Sequence, residues 1–101
     1  MPTPSNPPAH IAHAEDLADF VAASPSSHHA AAEVALRLVA AGFRPLDEHD
    51  AWPSQPGGRF LVVRDGAVIA WVVPDRADAT TGVRIFGAHS DSPALKLKPR
   101  P

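Results

Sequence analysis

The sequence predicts a mixed α/β fold: two helices, then a β-hairpin, then one or two further strands. The first half holds an alanine-rich run with helical periodicity, and two apolar runs joined by Asp65-Gly66 follow it. A third apolar run at residues 83–89 and an alternating segment at 95–98 supply the remaining strand candidates. At 101 residues, the chain is long enough for one small domain.

The first predicted helix covers Ala9–Ala23 and follows a proline-rich start. Four prolines in Met1–Pro8 indicate a flexible tail. We place the end of this tail at residue 13, within the frayed start of the helix, so that the domain covers residues 14–101. Three apolar side chains share one face of the helix at i, i+3 and i+4 spacing, namely Leu17, Phe20 and Val21.

The second predicted helix runs from His28 to Ala41. Ser24-Pro25-Ser26-Ser27 precedes it and offers a serine N-cap, and the alanine-rich run has high helix propensity. Gly42 supplies the left-handed residue that commonly ends a helix. This segment therefore predicts the best-defined element of the chain.

The strands are predicted in the second half. Phe43–Gly58 is rich in turn residues, and Arg59–Arg64 then forms the first strand of a hairpin. Asp65-Gly66 is a strong two-residue turn in which both central residues favour positive φ. The return strand, Ala67–Val73, is almost entirely apolar, which predicts burial on both faces. The apolar run at 83–89 predicts a third strand.

Composition excludes several functional classes. Nine basic and eleven acidic side chains give a net charge of −2, which argues against a nucleic-acid or anionic-membrane surface. The lack of cysteine excludes disulfide scaffolds, thiolate zinc sites and cysteine nucleophiles. No apolar run approaches the ~20 residues of a membrane span, and the start does not resemble a secretory signal. We expect a cytoplasmic protein.

His89 and Asp91 are the candidate functional residues. In extended backbone, residues i and i+2 project to the same side, so an imidazole and a carboxylate would meet at the end of the third strand. Neutral imidazole binds zinc, and a carboxylate that accepts from its other ring nitrogen fixes the tautomer. The spacing alone leaves a second interpretation open, in which Ser90 or Asp91 caps a turn before Pro93. Three other histidines are more typical of solvated side chains: His10, His13 and His49. His28 and His29 lie in the first turn of the second helix, where adjacent side chains point about 100° apart and are poorly placed to share a metal.

Two segments resemble the aspartyl aminopeptidase family. Residues 86–99, Phe-Gly-Ala-His-Ser-Asp-Ser-Pro-Ala-Leu-Lys-Leu-Lys-Pro, resemble that family's first metal-binding segment, Gly-Ala-His-Thr/Ser-Asp-Ser-Pro followed by an alternating aliphatic and basic run. Upstream, Phe20-Val21, Ser24-Pro25-Ser26 and His29-Ala30 resemble its N-terminal signature. Ser27 and His28 stand where the family more often has proline and an aromatic residue. The resemblance covers about residues 15–101.

The resemblance implies a zinc exopeptidase with a mixed sheet flanked by helices. The family uses two zinc ions, removes acidic N-terminal residues from peptides, and activates a metal-bound water with help from a glutamate base. By this resemblance, His89 is a zinc ligand and Asp91 is the catalytic carboxylate that orients it. His29 matches a family histidine to which we assign no role.

The remaining metal ligands of the family have no counterpart in this sequence. We therefore expect the N-terminal segment of an aminopeptidase catalytic domain, inactive by itself, with family-type homo-oligomers only for a complete chain. The alternative is a non-catalytic interaction protein that pairs an exposed strand edge with a partner.

Overall fold

The computed structural model describes residues 6–92, 95 and 97–100. It contains two helices and a three-stranded mixed sheet, which confirms the predicted α/β class. The elements in chain order are α1 (Ala9–Ala22), α2 (Ser27–Ala40), β1 (Arg44–Pro45), β2 (Arg59–Arg64) and β3 (Ala67–Val72). In the described part of the chain, neither helix is long and apolar enough to cross a membrane.

The sheet has the order β1-β2-β3. β2 and β3 form the predicted antiparallel hairpin, and the pairing of Arg64 with Ala67 sets its register next to the turn. β1 lies parallel to β2 on the other side, with Arg44 opposite Phe60. This two-residue strand follows directly from the end of α2, so the chain leaves the helix and enters the sheet at once.

Both helices begin and end at residues that explain their limits. α2 begins after Ser26, whose Oγ accepts a hydrogen bond from the backbone N–H of His29 at 3.3 Å. It ends before Gly42, which has a φ of +93°, as predicted from the left-handed preference of glycine. α1 begins at Ala9 after Pro8. It therefore includes residues 9–13, which the sequence assigned to the tail.

The core is small and centres on β2, the middle strand of the sheet, with α2 packed against it. Its five buried residues are Ala30, Ala31, Phe60, Leu61 and Val62. The two alanines let the helix approach the sheet closely because they project little beyond the backbone. Leu61, only 1% exposed, is the largest side chain that is fully enclosed.

α1 is held to α2 by Arg37. Its guanidinium donates to Asp16 on α1 at 2.9 Å and to Glu33 on α2 at 3.0 Å. It also lies over the Phe20 ring, 5.3 Å from the centroid. The Glu33 hydrogen bond is the largest cause of a raised pKa for Arg37. α1 has no buried residue. The contacts of Arg37 with Asp16 and with the Phe20 ring therefore orient α1 against α2.

The hairpin turn corrects one detail of the sequence prediction. Asp65 has a φ of +51°, but Gly66 is not among the glycines with positive φ. Glycine is favoured at position 66 because a Cβ there would lie 2.7 Å from Ser27 Oγ and 3.1 Å from Ser27 Cβ. The turn therefore packs on the first residue of α2, and glycine at position 66 allows the turn to approach Ser27 closely.

The prediction for the other strands was wrong in two respects. β3 is only half-buried at Val68 and Trp71 and exposed at its remaining positions, so it is not covered on both faces. Residues 83–89 form neither helix nor strand, and Ile85 is 91% exposed. A strand requires hydrogen bonds to a neighbour, and no strand of the described residues pairs with 83–89.

The alternating segment at 95–98 also lacks strand structure at its described positions. Leu95 and Leu97 are fully exposed, and Lys98 is exposed as well. Lys96, and Pro93 before which the sequence allows a capped turn, lie outside the described residues. The third strand of the sheet is therefore β1, and not either of the segments that the sequence favoured.

Candidate metal centre

His89 and Asp91 lie together, as their spacing predicts, although the segment that carries them is not a strand. His89 Nδ1 is 3.0 Å from Asp91 Oδ1 and 2.9 Å from the Asp91 backbone oxygen. A backbone oxygen and an ionised carboxylate can only accept, so the ring donates through Nδ1–H. In the neutral ring, Nε2 then carries the lone pair. This is the tautomer that a carboxylate-oriented zinc ligand requires.

The pair is open to solvent. The His89 side chain is 79% exposed and the Asp91 side chain 65%. An open imidazole can be reached by a metal ion without rearrangement of the core. The contact between the two side chains adds little stability at such exposure. The pair is therefore better suited to binding than to holding the fold together.

The donor set fits one zinc ligand and its orienting carboxylate, and it does not fit a complete centre. Catalytic zinc takes three protein ligands and keeps one position for water, and structural zinc takes four. Within the described residues, no group of three or more His, Cys, Asp or Glu side chains is placed to hold a metal ion. Further ligands are needed for a catalytic site.

A hydrogen bond ties this segment to the hairpin. Ser90 Oγ donates to the backbone oxygen of Gly66 at 2.9 Å. From the sequence alone, Ser90 has at most a turn-capping role, and its contact with the hairpin is not predicted. A signal was present, since the family segment has threonine or serine at this position and both carry a hydroxyl.

A cavity of about 640 Å³ borders the His89–Asp91 pair. Its walls are mostly apolar and come from both helices, from β3 and from residues 86–92; they include Phe20, Val34, Val68, Ala70 and Phe86. Ser24 also lines it, and the buried Ser24 hydroxyl has no hydrogen-bond partner among the described residues. Both segments that carry the family resemblance thus border one cavity. Its described lining contains no lysine or arginine.

Two other histidines have local structural roles. His29 Nδ1 is 2.7 Å from Ser26 Oγ, the oxygen that also caps α2. His49 donates to Asp47 Oδ1 through its backbone N–H at 2.8 Å, and its ring lies 2.9 Å from the same oxygen. The backbone hydrogen bond is the main reason that the pKa of Asp47 is lowered. These contacts stabilise a helix start and a turn.

Comparison with known proteins gives a consistent result. The model of the family described as aminopeptidase I zinc metalloprotease (M18) matches residues 20–101. A probable M18 family aminopeptidase 2 of Streptomyces avermitilis is 57% identical over 89 residues, and that of Streptomyces coelicolor is 53% identical over 89 residues. Each alignment covers 88% of this chain and 20% of the relative. The protein of the same name in Pseudomonas putida is 49% identical over 86 residues. That alignment covers 84% of this chain and 20% of the Pseudomonas protein. The chain thus spans about a fifth of the length of these relatives.

Proposed function

Because the chain belongs to the aminopeptidase I zinc metalloprotease (M18) family, we propose that it supplies His89 as a zinc ligand of a metalloaminopeptidase. The observation that carries this proposal is the Nδ1 hydrogen bond from His89 to Asp91, which leaves Nε2 for the metal. Asp91 holds the ring in this orientation and is the catalytic carboxylate of the pair. When bound, zinc would supply an activated water as the nucleophile for peptide hydrolysis.

For the complete enzyme, we propose two zinc ions and removal of acidic N-terminal residues. The support is the resemblance of residues 86–99 and of the upstream signature to the aspartyl aminopeptidases. An acidic substrate side chain needs a cationic partner. The described cavity lining offers none, so this cation has to come from outside that lining. We propose a cytoplasmic location and a homo-oligomer for the complete enzyme on the same resemblance.

The 101-residue chain by itself should be inactive. It brings one imidazole and one carboxylate together, whereas metal-activated water requires a metal held by about three protein ligands. We expect no hydrolysis of an aspartyl or glutamyl amide substrate by the purified chain with added zinc. Zinc-dependent turnover that is lost in His89→Ala would contradict this expectation.

The metal ligand itself is tested by nitrogen NMR of the histidine rings during titration with zinc chloride. We expect the His89 Nε2 signal to respond, and we expect Asp91→Ala to weaken the zinc affinity of His89 about 10- to 100-fold because the ring is no longer oriented. His49, which also lies beside an aspartate, serves as the internal control. If zinc moves the His49 signal and leaves His89 unchanged, the proposed metal site is wrong.

A second candidate function is a non-catalytic interaction protein, as the open edge of β3 suggests. Among the described strands, β3 pairs only with β2, and Ala67–Val72 contains no charged residue or proline to protect the other edge. A partner strand could extend the sheet there. Light scattering after size-exclusion chromatography tests this: concentration-dependent assembly that Ala70→Pro abolishes supports it, and a stable monomer counts against it.

A further inference from the structure

We propose that Ser90 is a positioning residue for the candidate zinc ligand, acting through its hydrogen bond to the hairpin turn. This inference rests on the proposed function of His89. Ser90 Oγ donates to the Gly66 backbone oxygen at 2.9 Å, across 24 positions of sequence. His89 precedes Ser90 and Asp91 follows it, so the contact lies at the centre of the pair.

The segment has little else to hold it. Residues 83–92 form no helix or strand and are exposed throughout. The two hydrogen bonds of His89 are internal to the segment, since both go to Asp91. In the described part of the chain, the Ser90 contact is the one hydrogen bond that joins these residues to another element.

The acceptor lies on a well-fixed part of the fold. Gly66 belongs to the turn of the β2–β3 hairpin, where Arg64 pairs with Ala67. The same glycine packs closely on Ser27, the first residue of α2, where an added Cβ would lie 3.1 Å from Ser27 Cβ. Its carbonyl is therefore held by the sheet and the helix together. The hydrogen bond from the Ser90 hydroxyl to this carbonyl therefore also fixes the position of the His89 imidazole and the Asp91 carboxylate.

The Ser90 hydrogen bond preorganises His89 and Asp91 for metal binding. A ligand that is already in place loses less conformational freedom when the metal binds. Without the hydroxyl, His89 and Asp91 keep their mutual hydrogen bond but lose their fixed position beside the cavity. Because a single hydrogen bond of this kind contributes modestly, we expect zinc affinity at His89 to fall about threefold to tenfold.

The test compares Ser90→Ala, Ser90→Thr and Ser92→Ala in the 101-residue chain. Zinc affinity is read from the His89 ring nitrogen signals, and order is read from the heteronuclear NOE of the residue 88–91 amides. We expect Ser90→Ala to weaken affinity and lower the NOE, and Ser90→Thr to restore both because it keeps a hydroxyl. Ser92 lies in the same segment, and the structure shows no side-chain hydrogen bond from it to the described residues; Ser92→Ala should match the unmodified chain. Unchanged β2 and β3 amide signals show that each variant is folded.

The outcomes separate this inference from the proposed function. If zinc does not perturb His89 in the unmodified chain, the metal site and the positioning role are both overturned. If zinc binds at His89 and Ser90→Ala binds it equally well, the positioning role alone is overturned. Equal losses in Ser90→Ala and Ser90→Thr also overturn it, because a threonine hydroxyl can still reach the same carbonyl.

Discussion

A Cβ atom on Gly66 would lie 2.7 Å from Ser27 Oγ and 3.1 Å from Ser27 Cβ. The hydroxyl could rotate away, but the Cβ contact could be relieved only by moving the turn or the start of α2. We therefore expect Gly66→Ala to lower the free energy of unfolding by about 1–3 kcal/mol, as overpacking does. Urea denaturation measures this change.

Gly82→Ala is the matched control for the turn. Gly82 has no positive φ, and a Cβ there would meet no atom within 4 Å. Since both substitutions restrict the unfolded chain in the same way, their difference isolates the contact with Ser27. Equal stabilities of the two variants would show that the hairpin turn does not press on α2.

The lowered pKa of Asp78 allows its hydrogen bonds with Thr80 to be tested by titration. Thr80 donates to Asp78 Oδ1 through its hydroxyl at 2.6 Å and through its backbone N–H at 2.8 Å. The hydroxyl bond is the largest cause of a lowered Asp78 pKa. A carboxyl with a pKa lowered by folding adds stability above its unfolded pKa and loses that contribution as the pH falls through the folded pKa.

We expect Thr80→Val to raise the pKa of Asp78 toward its ordinary value, because valine keeps the shape but removes the hydroxyl donor. Titration of the carboxyl carbons by NMR measures this shift. Asp47, whose lowered pKa depends on His49, should keep its pKa in the same spectra. An unchanged Asp78 pKa would mean that the turn does not form in solution.

At the scale of the element, the start of α2 depends on Ser26. Its hydroxyl accepts from the His29 backbone N–H and lies beside the His29 ring. We expect Ser26→Ala to cost about 0.5–2 kcal/mol of unfolding free energy and Ser26→Asp to retain most of it, because aspartate also caps helices well. Urea denaturation measures both; an unchanged unfolding free energy in Ser26→Ala would show that the side-chain cap does not stabilise the helix.

The elements that the sequence predicts correctly are those with local signals. Ser26 at the start of α2, Gly42 at its end and Asp65-Gly66 between β2 and β3 each act on residues nearby in sequence. β1 has no such signal. It consists of Arg44 and Pro45, and it exists because the exit of α2 places them beside β2.

The candidate site likewise has one feature that follows from local spacing and others that depend on the tertiary structure. The proximity of His89 and Asp91 follows from their i, i+2 spacing and needs no knowledge of the rest of the fold. The bond from Ser90 to Gly66 and the cavity shared by both family segments depend on tertiary structure. Neither could be derived from spacing, because each joins parts of the chain that are distant in sequence.

At the scale of the whole molecule, the described chain is expanded. Its radius of gyration is 18.6 Å, whereas a compact domain of this length has about 13 Å. The difference agrees with an apolar segment at 83–89 that lies outside the core. Apolar content tells what a segment can bury, but burial also needs a surface to pack against. The sequence therefore predicts the hairpin and a further strand, but it places the further strand in the wrong segment.

Leu61 and Ile85 form a matched pair that tests this description of the core. Both are aliphatic residues in segments that the sequence predicts as strands, but Leu61 is 1% exposed and Ile85 is 91% exposed. Leu61→Ala should cost about 2–5 kcal/mol, because it leaves a cavity between α2 and the sheet. Ile85→Ala should change the unfolding free energy by less than about 0.5 kcal/mol, as exposed substitutions do. Denaturant titration followed by tryptophan fluorescence can measure both changes in unfolding free energy. Trp71 reports on the core because its ring centroid lies 6.0 Å from that of Phe60. If Ile85→Ala is as costly as Leu61→Ala, residues 83–89 are packed in solution, and the segment that carries His89 is part of the folded core.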